Sequence, residues 1–338
     1  MSKTVVLTGV TGFIAKRIAL DLLEAGHTVC GSLRSMRRAD EVRDAVRPHL
    51  SDPAALDRLS FVELDLTKDD GWSEAMQGAD VLMHTASPFP MEQAKDPDSI
   101  IRPAVDGTMR ALEAAEKAGI KRVILTSSMV TVMYNDIAKT RPVTETDWST
   151  PGHPTLNAYG ESKTLAEKAA WDFVAKHTDM TLITVNPGLV VGEPMDAHYG
   201  TSLALVERIL DGKDPMLPEI IFPVVDIKDV SALHVQAVED MKMDGKRHLA
   251  TEGMMSMLEM GQLLAKEHPT RKIATKAAPK FMLKLISLFD PAIKSVLPQL
   301  GVDYRLDKSG TLARTGISFT PSADALKSSA AYIVNAGK

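Results

Sequence analysis

The sequence predicts an α/β fold, a doubly wound parallel sheet with a smaller, mixed C-terminal region. Three observations predict it. Short β-branched runs alternate with helical patterns through residues 4–185, the first run ends in a glycine turn that opens a helix, and the alternation gives way after residue 192 to helices broken by prolines.

The first run, Val5-Val6-Leu7-Thr8, is followed by glycines at 9 and 12 and a helical pattern from Phe13 with Ile14, Ile18 and Leu22 on one face. Gly26 suits the left-handed cap that ends such a helix. Strand, glycine turn and helix in that order aim free backbone N–H groups and a helix dipole at a phosphate. Gly9 allows the tight turn, Gly12 lets the backbone approach a pyrophosphate, and Ala15 is small enough for the helix to lie close to the strand. The spacing is Gly-x-x-Gly-x-x-Ala rather than the standard Gly-x-Gly-x-x-Gly. Thr8, Gly9, Thr11, Gly12, Phe13 and Ile14 are therefore candidate cofactor contacts on a Rossmann-type sheet.

Strand two runs from Thr28 to Arg34. An NAD site would carry an acid near its end for the ribose 2′-hydroxyl. Arg34 stands there instead, with Arg37 and Arg38 behind it, and guanidinium groups suit a 2′-phosphate, so NADP(H) is expected, held by Arg34 and Arg38. Strand three, Phe61–Leu66, ends in Asp65-Leu66, a pair of the sort that lines an adenine site. Strand four, Val81–Ala86, brings Thr85, Ala86 and Ser87 to the same edge, and Pro88 and Pro90 exclude a helix directly after it. A helix over about 99–118 and strand five, Arg122–Ser128, follow. Gly9, Arg34, Asp65, Ala86 and Ser128 all fall at carboxyl ends of strands, where ligands bind in such sheets.

Residues 136–157 read as a loop and 158–176 as a helix carrying Tyr159-Gly160-Glu161-Ser162-Lys163, with Tyr159 and Lys163 on one face. Strand six, Thr181–Val185, ends at Asn186-Pro187-Gly188. Beyond it come one helix within about 193–222, a short strand at Val224-Val225, a helix over 229–239, a strand over 246–251, and helices near 256–267, 279–289 and 322–335. The expected division is 1–192 plus about 223–251 for the cofactor domain, and about 193–222 plus 252–338 for a substrate domain.

The bulk properties exclude several classes. The 338 residues carry a net charge of −5, without the basic footprint of a nucleic-acid binder. Cys30 is the single cysteine, so no internal disulfide forms and a reducing compartment fits. The first strand begins by residue 4, which leaves no room for a signal peptide, and no apolar run is long enough to span a bilayer. A cytoplasmic protein with no membrane partner is expected. The nine histidines lack ligand spacing, so no metal is expected, and the 18 methionines read as core filler.

Taken together, the glycine-turn start, the strand ending in Ser127-Ser128 and the Tyr159/Lys163 helix resemble the short-chain dehydrogenase/reductase superfamily, and the length and irregular final third resemble its extended branch. Residues 4 to about 192 look like the dihydroflavonol 4-reductase group of NADPH-dependent carbonyl reductases, through Thr8–Ala15, Leu33-Arg34, Thr126–Ser128, Tyr159–Trp171 and Pro187–Gly192. The final third matches loosely, through Leu306–Ser309 and a closing helix. The resemblance implies hydride transfer to an aldehyde or ketone, with Tyr159 as acid/base, Lys163 as the cation that lowers its pKa and bonds the nicotinamide ribose, and Ser128 on the carbonyl oxygen. Thr126, Ser127, Pro187, Gly188, Leu189 and Val190, with Tyr159 and Lys163, would line the nicotinamide end, and Ser127 would take no catalytic role. A monomer or homodimer acting on a small-molecule carbonyl or alcohol is implied.

Two departures bear on substrate. Plant dihydroflavonol reductases place an asparagine five residues after the serine; Met133 stands there here, and Met129 replaces a small residue. A less polar carbonyl than a flavonoid diol is expected, in a pocket walled by Pro88, Phe89, Met129, Met133, His153, Leu156, Met195 and parts of 200–222. The rival readings are an NAD-dependent sugar-nucleotide epimerase or dehydratase, a hydroxysteroid-type dehydrogenase and a nucleotide-sensing regulator. Arg34 opposes the first, and the tyrosine and lysine oppose the last.

Overall fold

The two-residue alternation of the first strand prepares both faces of the sheet. In β1 (Thr4–Thr8), Val5 and Leu7 enter one hydrophobic core and Val6 the other. The computed structural model describes residues 1–87, 96–289 and 297–337. Pro88 and Phe89, expected in the substrate pocket, lie outside these residues.

The chain continues through α1 (Phe13–Glu24), β2 (Thr28–Leu33), α2 (Ala39–Val46), β3 (Leu59–Glu63), α3 (Trp72–Ala75), β4 (Val81–His84), α4 (Asp98–Lys117), β5 (Arg122–Thr126), α5 (Val130–Met133), α6 (Ala158–Val174) and β6 (Thr181–Pro187). After these come β7 (Leu189–Val191), α7 (Gly200–Asp211), β8 (Ile221–Asp226), α8 (Ile227–Gln236), β9 (Arg247–Ala250), β10 (Gly253–Ser256), α9 (Met257–Glu267), α10 (Lys280–Ile286), α11 (Ser309–Thr315) and α12 (Ser322–Asn335).

Seven strands pair in the order β3-β2-β1-β4-β5-β6-β9, every pair parallel. The chain winds outward from β1 to β3 and then crosses to β4 on the other side, so the sheet is doubly wound, with its switch point between β1 and β4. Ile18 and Leu22 of α1 join Val230 and Leu233 of α8 in the core on one face. Ala111, Leu112 and Ala115 of α4 join Ala170 of α6 on the other. Each fully buried large apolar side chain contributes about 1.5–3 kcal/mol.

A second sheet is mixed: β7 pairs parallel with β8, and β8 antiparallel with β10. It packs with α7, α9 and α12 around Leu203, Ile209, Met260, Leu264, Leu326 and Ile333. All of β7 and most of β8 fall inside the stretches expected for the cofactor domain, yet they pair in this smaller sheet. The strand expected over 246–251 is β9 of the large sheet, and β10 of the small one follows it as a strand the sequence does not announce. Strand three ends at Glu63, short of Leu66, because the Asp65 carboxylate accepts hydrogen bonds from the Thr67 amide (2.9 Å) and hydroxyl (2.8 Å) and folds the chain into a turn. No helix among the described residues is long and apolar enough to cross a membrane.

Gly188 links the two sheets. A Cβ there would overlap the backbone carbonyl of Pro223 in β8. Gly188→Ala is expected to destabilise the fold by about 1–3 kcal/mol, the usual cost of overpacking. Thermal unfolding followed by circular dichroism checks this; an unchanged Tm would show that the small sheet yields freely.

Candidate functional site

The glycine turn opens the site. Gly9 adopts φ +68°, a left-handed conformation that glycine enters without a Cβ penalty, and a Cβ there would lie 3.0 Å from Cα of Ala86. Its N–H donates to Ser32 Oγ (3.0 Å), and Gly12 N–H donates to the Gly9 carbonyl (2.9 Å). Gly12 is the N-cap of α1, no side chain caps that helix, and no acid lies in its first turn. The N-terminus therefore presents backbone donors and a positive dipole end to the cleft beside it.

That cleft has a volume of about 600 Å³. Of the expected cofactor contacts, Gly9, Thr11, Gly12, Arg34, Asp65, Leu66, Thr85, Ala86 and Ser87 line it. Ser32, Trp72 and Pro103 line it too, and were not anticipated. Arg34 is exposed, with no hydrogen-bond or ion-pair partner among the described residues, and its charge helps lower the Asp65 pKa, after the Thr67 hydrogen bonds. Arg38 lies elsewhere: its guanidinium is bound by Glu41 in two-pronged fashion (2.8 and 2.9 Å). Three further candidates point away. Thr8 is fully buried, its hydroxyl bonded to His84 Nδ1 (2.9 Å) and to the Thr85 and Ala86 amides, while Phe13 and Ile14 pack against the core. Their backbone can face a ligand; their side chains hold the turn in place.

The second half of the site lies at the carboxyl ends of β5 and β6. Asn157 caps α6 by accepting from Gly160 N–H (2.9 Å), which places Tyr159 in the first turn and Lys163 one turn later. The Ser128 hydroxyl hydrogen-bonds the Tyr159 phenol. The serine is held by backbone contacts to β6, with Met129 N–H on the Pro187 carbonyl (2.9 Å), and Lys163 Nζ reaches the Thr126 carbonyl at 3.5 Å. The serine and tyrosine side chains therefore meet, and Lys163 follows one turn later on the same helix, its ammonium at the end of β5. Thr126 turns its hydroxyl to His234 (2.7 Å) and Ser127 turns its own to Glu167, both away from Tyr159. Pro187 and Gly188 lie at the junction of the two sheets; Val190 is buried and Leu189 packs on the small sheet's core.

The electrostatics correct one expectation. Burial pushes the Tyr159 phenol up to about 12, and the Ser128 hydrogen bond offsets only part of this. The depressed tyrosine that the resemblance implies is not what the protein alone produces. Burial also brings Lys163 down to about 8, with Glu167 acting in the opposite direction. His84 falls to about 3 through burial and the nearby Lys163 charge, and is neutral at ordinary pH.

Other side chains near Tyr159 are aromatic. The charges of Tyr304 and Tyr159 add to the burial that raises Tyr134, whose ring meets Tyr304 edge-on at 5.6 Å. Met129 and Met133, expected as pocket wall, are 1% and 2% exposed and pack with Tyr304 and Val143 in a satellite core. Leu156 sits against Gly160 at the start of α6, and His153 lines a separate cavity of about 420 Å³ with Tyr304 and Asn135. Met195 packs on the α1 core, and its neighbour Asp196, with Glu41, encloses the buried Lys16 ammonium. The expected pocket residues are thus dispersed rather than gathered.

Residues 5–249 match the NAD dependent epimerase/dehydratase family. A cinnamoyl-CoA reductase of Arabidopsis thaliana is 34% identical over 278 residues, spanning 81% of this chain and 77% of that protein. One from Medicago truncatula is 32% identical over 284 residues, spanning 82% and 85%. The crystal structure of yeast methylglyoxal/isovaleraldehyde reductase complexed with NADPH matches this fold with a TM-score of 0.82 at 26% identity, covering 99% of each chain.

Proposed function

This chain belongs to the NAD dependent epimerase/dehydratase family, and we propose that it is an NADPH-dependent reductase of aldehydes and ketones. The observation that carries this is the Ser128–Tyr159 hydrogen bond one helical turn from Lys163, at the sheet edge that also holds the glycine turn and Arg34. The glycine cradle, the uncapped helix and the exposed Arg34 guanidinium fit a dinucleotide with a 2′-phosphate. Arg34, in place of an acid, favours a reductase over an epimerase that retains NAD.

NADPH, when bound, supplies the hydride. As the carbonyl carbon gains the hydride, the C=O electron pair moves onto oxygen. Tyr159 gives that oxygen its phenolic proton, Ser128 donates a hydrogen bond to it, and the Lys163 cation stabilises the phenolate left behind. Two opposite unit charges about 4 Å apart at an effective dielectric of 20 attract by about 4 kcal/mol. Within this reading, residues 1–192 with about 223–251 bind cofactor, and about 193–222 with 252–338 bind substrate. The protein works on small molecules as a cytoplasmic monomer or homodimer.

NADPH oxidation, followed by absorbance with methylglyoxal, isovaleraldehyde, aromatic aldehydes and a dihydroflavonol, tests the reading. Turnover is expected with simple aldehydes at higher kcat/KM than with the dihydroflavonol, and faster with NADPH than NADH. Tightly retained NAD with no NADPH oxidation would establish the epimerase reading instead.

A further inference from the structure

Glu167 lies one turn beyond Lys163 and two beyond Tyr159 on α6, its side chain fully buried. Seven hydrogen bonds converge on its two oxygens. Oε1 accepts from Arg247 Nε (2.6 Å), Trp171 Nε1 (3.2 Å) and Thr184 Oγ1 (3.3 Å). Oε2 accepts from Ser127 Oγ, Thr131 Oγ1 (2.8 Å), Asn186 Nδ2 (2.9 Å) and Arg247 Nη2 (3.4 Å). These donors come from the serine loop, α5, α6, β6 and β9. Arg247 carries the clamp further: it donates to the carbonyls of Glu145 (3.0 Å) and Asp147 (2.6 Å) and stacks over the Trp148 ring at 3.8 Å.

We propose that Glu167 is a positioning residue of the reaction, whose carboxylate locks the serine loop and the end of β6 against the helix that presents Tyr159 and Lys163. The proposal rests on the reductase reading. Burial alone would raise the Glu167 carboxyl, but the Arg247 guanidinium and the Ser127 and Thr131 hydroxyls hold it below the usual carboxylate range, so it is charged. That charge has a second consequence. Among the described residues, the titratable groups that act on Lys163 are Glu167, one turn on along its own helix, and His84 at the end of β4, with Tyr159 one turn before it on the helix; Arg247 faces Glu167 from β9. With His84 neutral and Tyr159 protonated, Glu167 is the anion that keeps Lys163 charged against its own desolvation.

Glu167→Gln is the informative substitution, because every neighbour of the carboxylate is a donor and an amide must turn its NH₂ onto one set of them. We expect kcat to fall about 10- to 100-fold, with the NADPH dissociation constant within about threefold of wild type, since the adenosine half of the cleft is remote. Lys163 then loses its proton at lower pH, so the alkaline fall of kcat moves to lower pH by half a unit or more. Arg247→Met removes the guanidinium that chiefly holds the buried carboxyl ionised, so the carboxyl takes up a proton more readily and that limb moves the same way, to lower pH. A uniform loss of activity from general loosening would leave that limb in place, and a shift to lower pH in both variants identifies the carboxylate's electrostatic role. Circular dichroism and NADPH binding establish that each variant is folded, and if one does not fold the other decides. A folded Glu167→Gln protein with wild-type kcat and pH profile overturns the proposal alone. A wild type that binds NADPH but reduces no carbonyl overturns the reductase reading and this proposal with it.

Discussion

Tyr159→Phe is expected to reduce carbonyl turnover by about 10²- to 10⁴-fold while leaving NADPH affinity nearly unchanged. The substitution deletes the one proton donor that Ser128 holds at the sheet edge and keeps the ring that fills the space. The unusual position of the wild-type phenol adds a pH signature. Pushed up to about 12 by burial, Tyr159 stays protonated throughout the neutral range, which suits donation to a carbonyl oxygen. Alcohol oxidation needs the phenolate, so the reverse reaction is expected to rise steadily toward alkaline pH. Reduction weakens as pH rises through about 8, where Lys163 loses its charge. Steady-state rates in both directions from pH 6 to 10 check this. A Tyr159→Phe protein retaining more than a tenth of wild-type kcat would remove the tyrosine from the chemistry.

Arg34→Ala is expected to weaken NADPH binding about 10- to 100-fold and leave NADH binding within about twofold. A hydrogen bond to a charged group contributes about 1.5–3 kcal/mol, and each 1.4 kcal/mol is tenfold in affinity. Arg34 lines the cleft without a partner among the described residues, whereas Arg38 is already committed to Glu41, so Arg38→Ala should cost less. Fluorescence titration with both cofactors distinguishes the two arginines. An unchanged NADPH-to-NADH preference in the Arg34 variant would assign the 2′-phosphate to another group.

Much of this site is legible in the chain because its rules are local. The Gly9–Gly12 turn, the alternation of Val5, Val6 and Leu7, and the four-residue spacing of Tyr159 and Lys163 each occupy one strand, turn or helix. Where the sequence misleads, a side chain meets a distant partner. Arg38 resembles a phosphate ligand until Glu41 folds onto it, and Met129 and Met133 resemble a pocket wall until Tyr304 and Val143 enclose them. Asp65 ends strand three early through a side-chain turn that competes with the ladder.

The sequence by itself therefore determined the doubly wound sheet, the cofactor-binding edge and the serine–tyrosine–lysine set, since periodicity and turn chemistry are properties of consecutive residues. Only the tertiary structure decided the rest. Glu167 sits in plain view within the Tyr159–Trp171 motif, yet its role depends on donors at positions 127, 131, 184, 186 and 247, which the parallel sheet brings together. The raised tyrosine and lowered lysine likewise follow from desolvation, and burial exists only once the chain has packed.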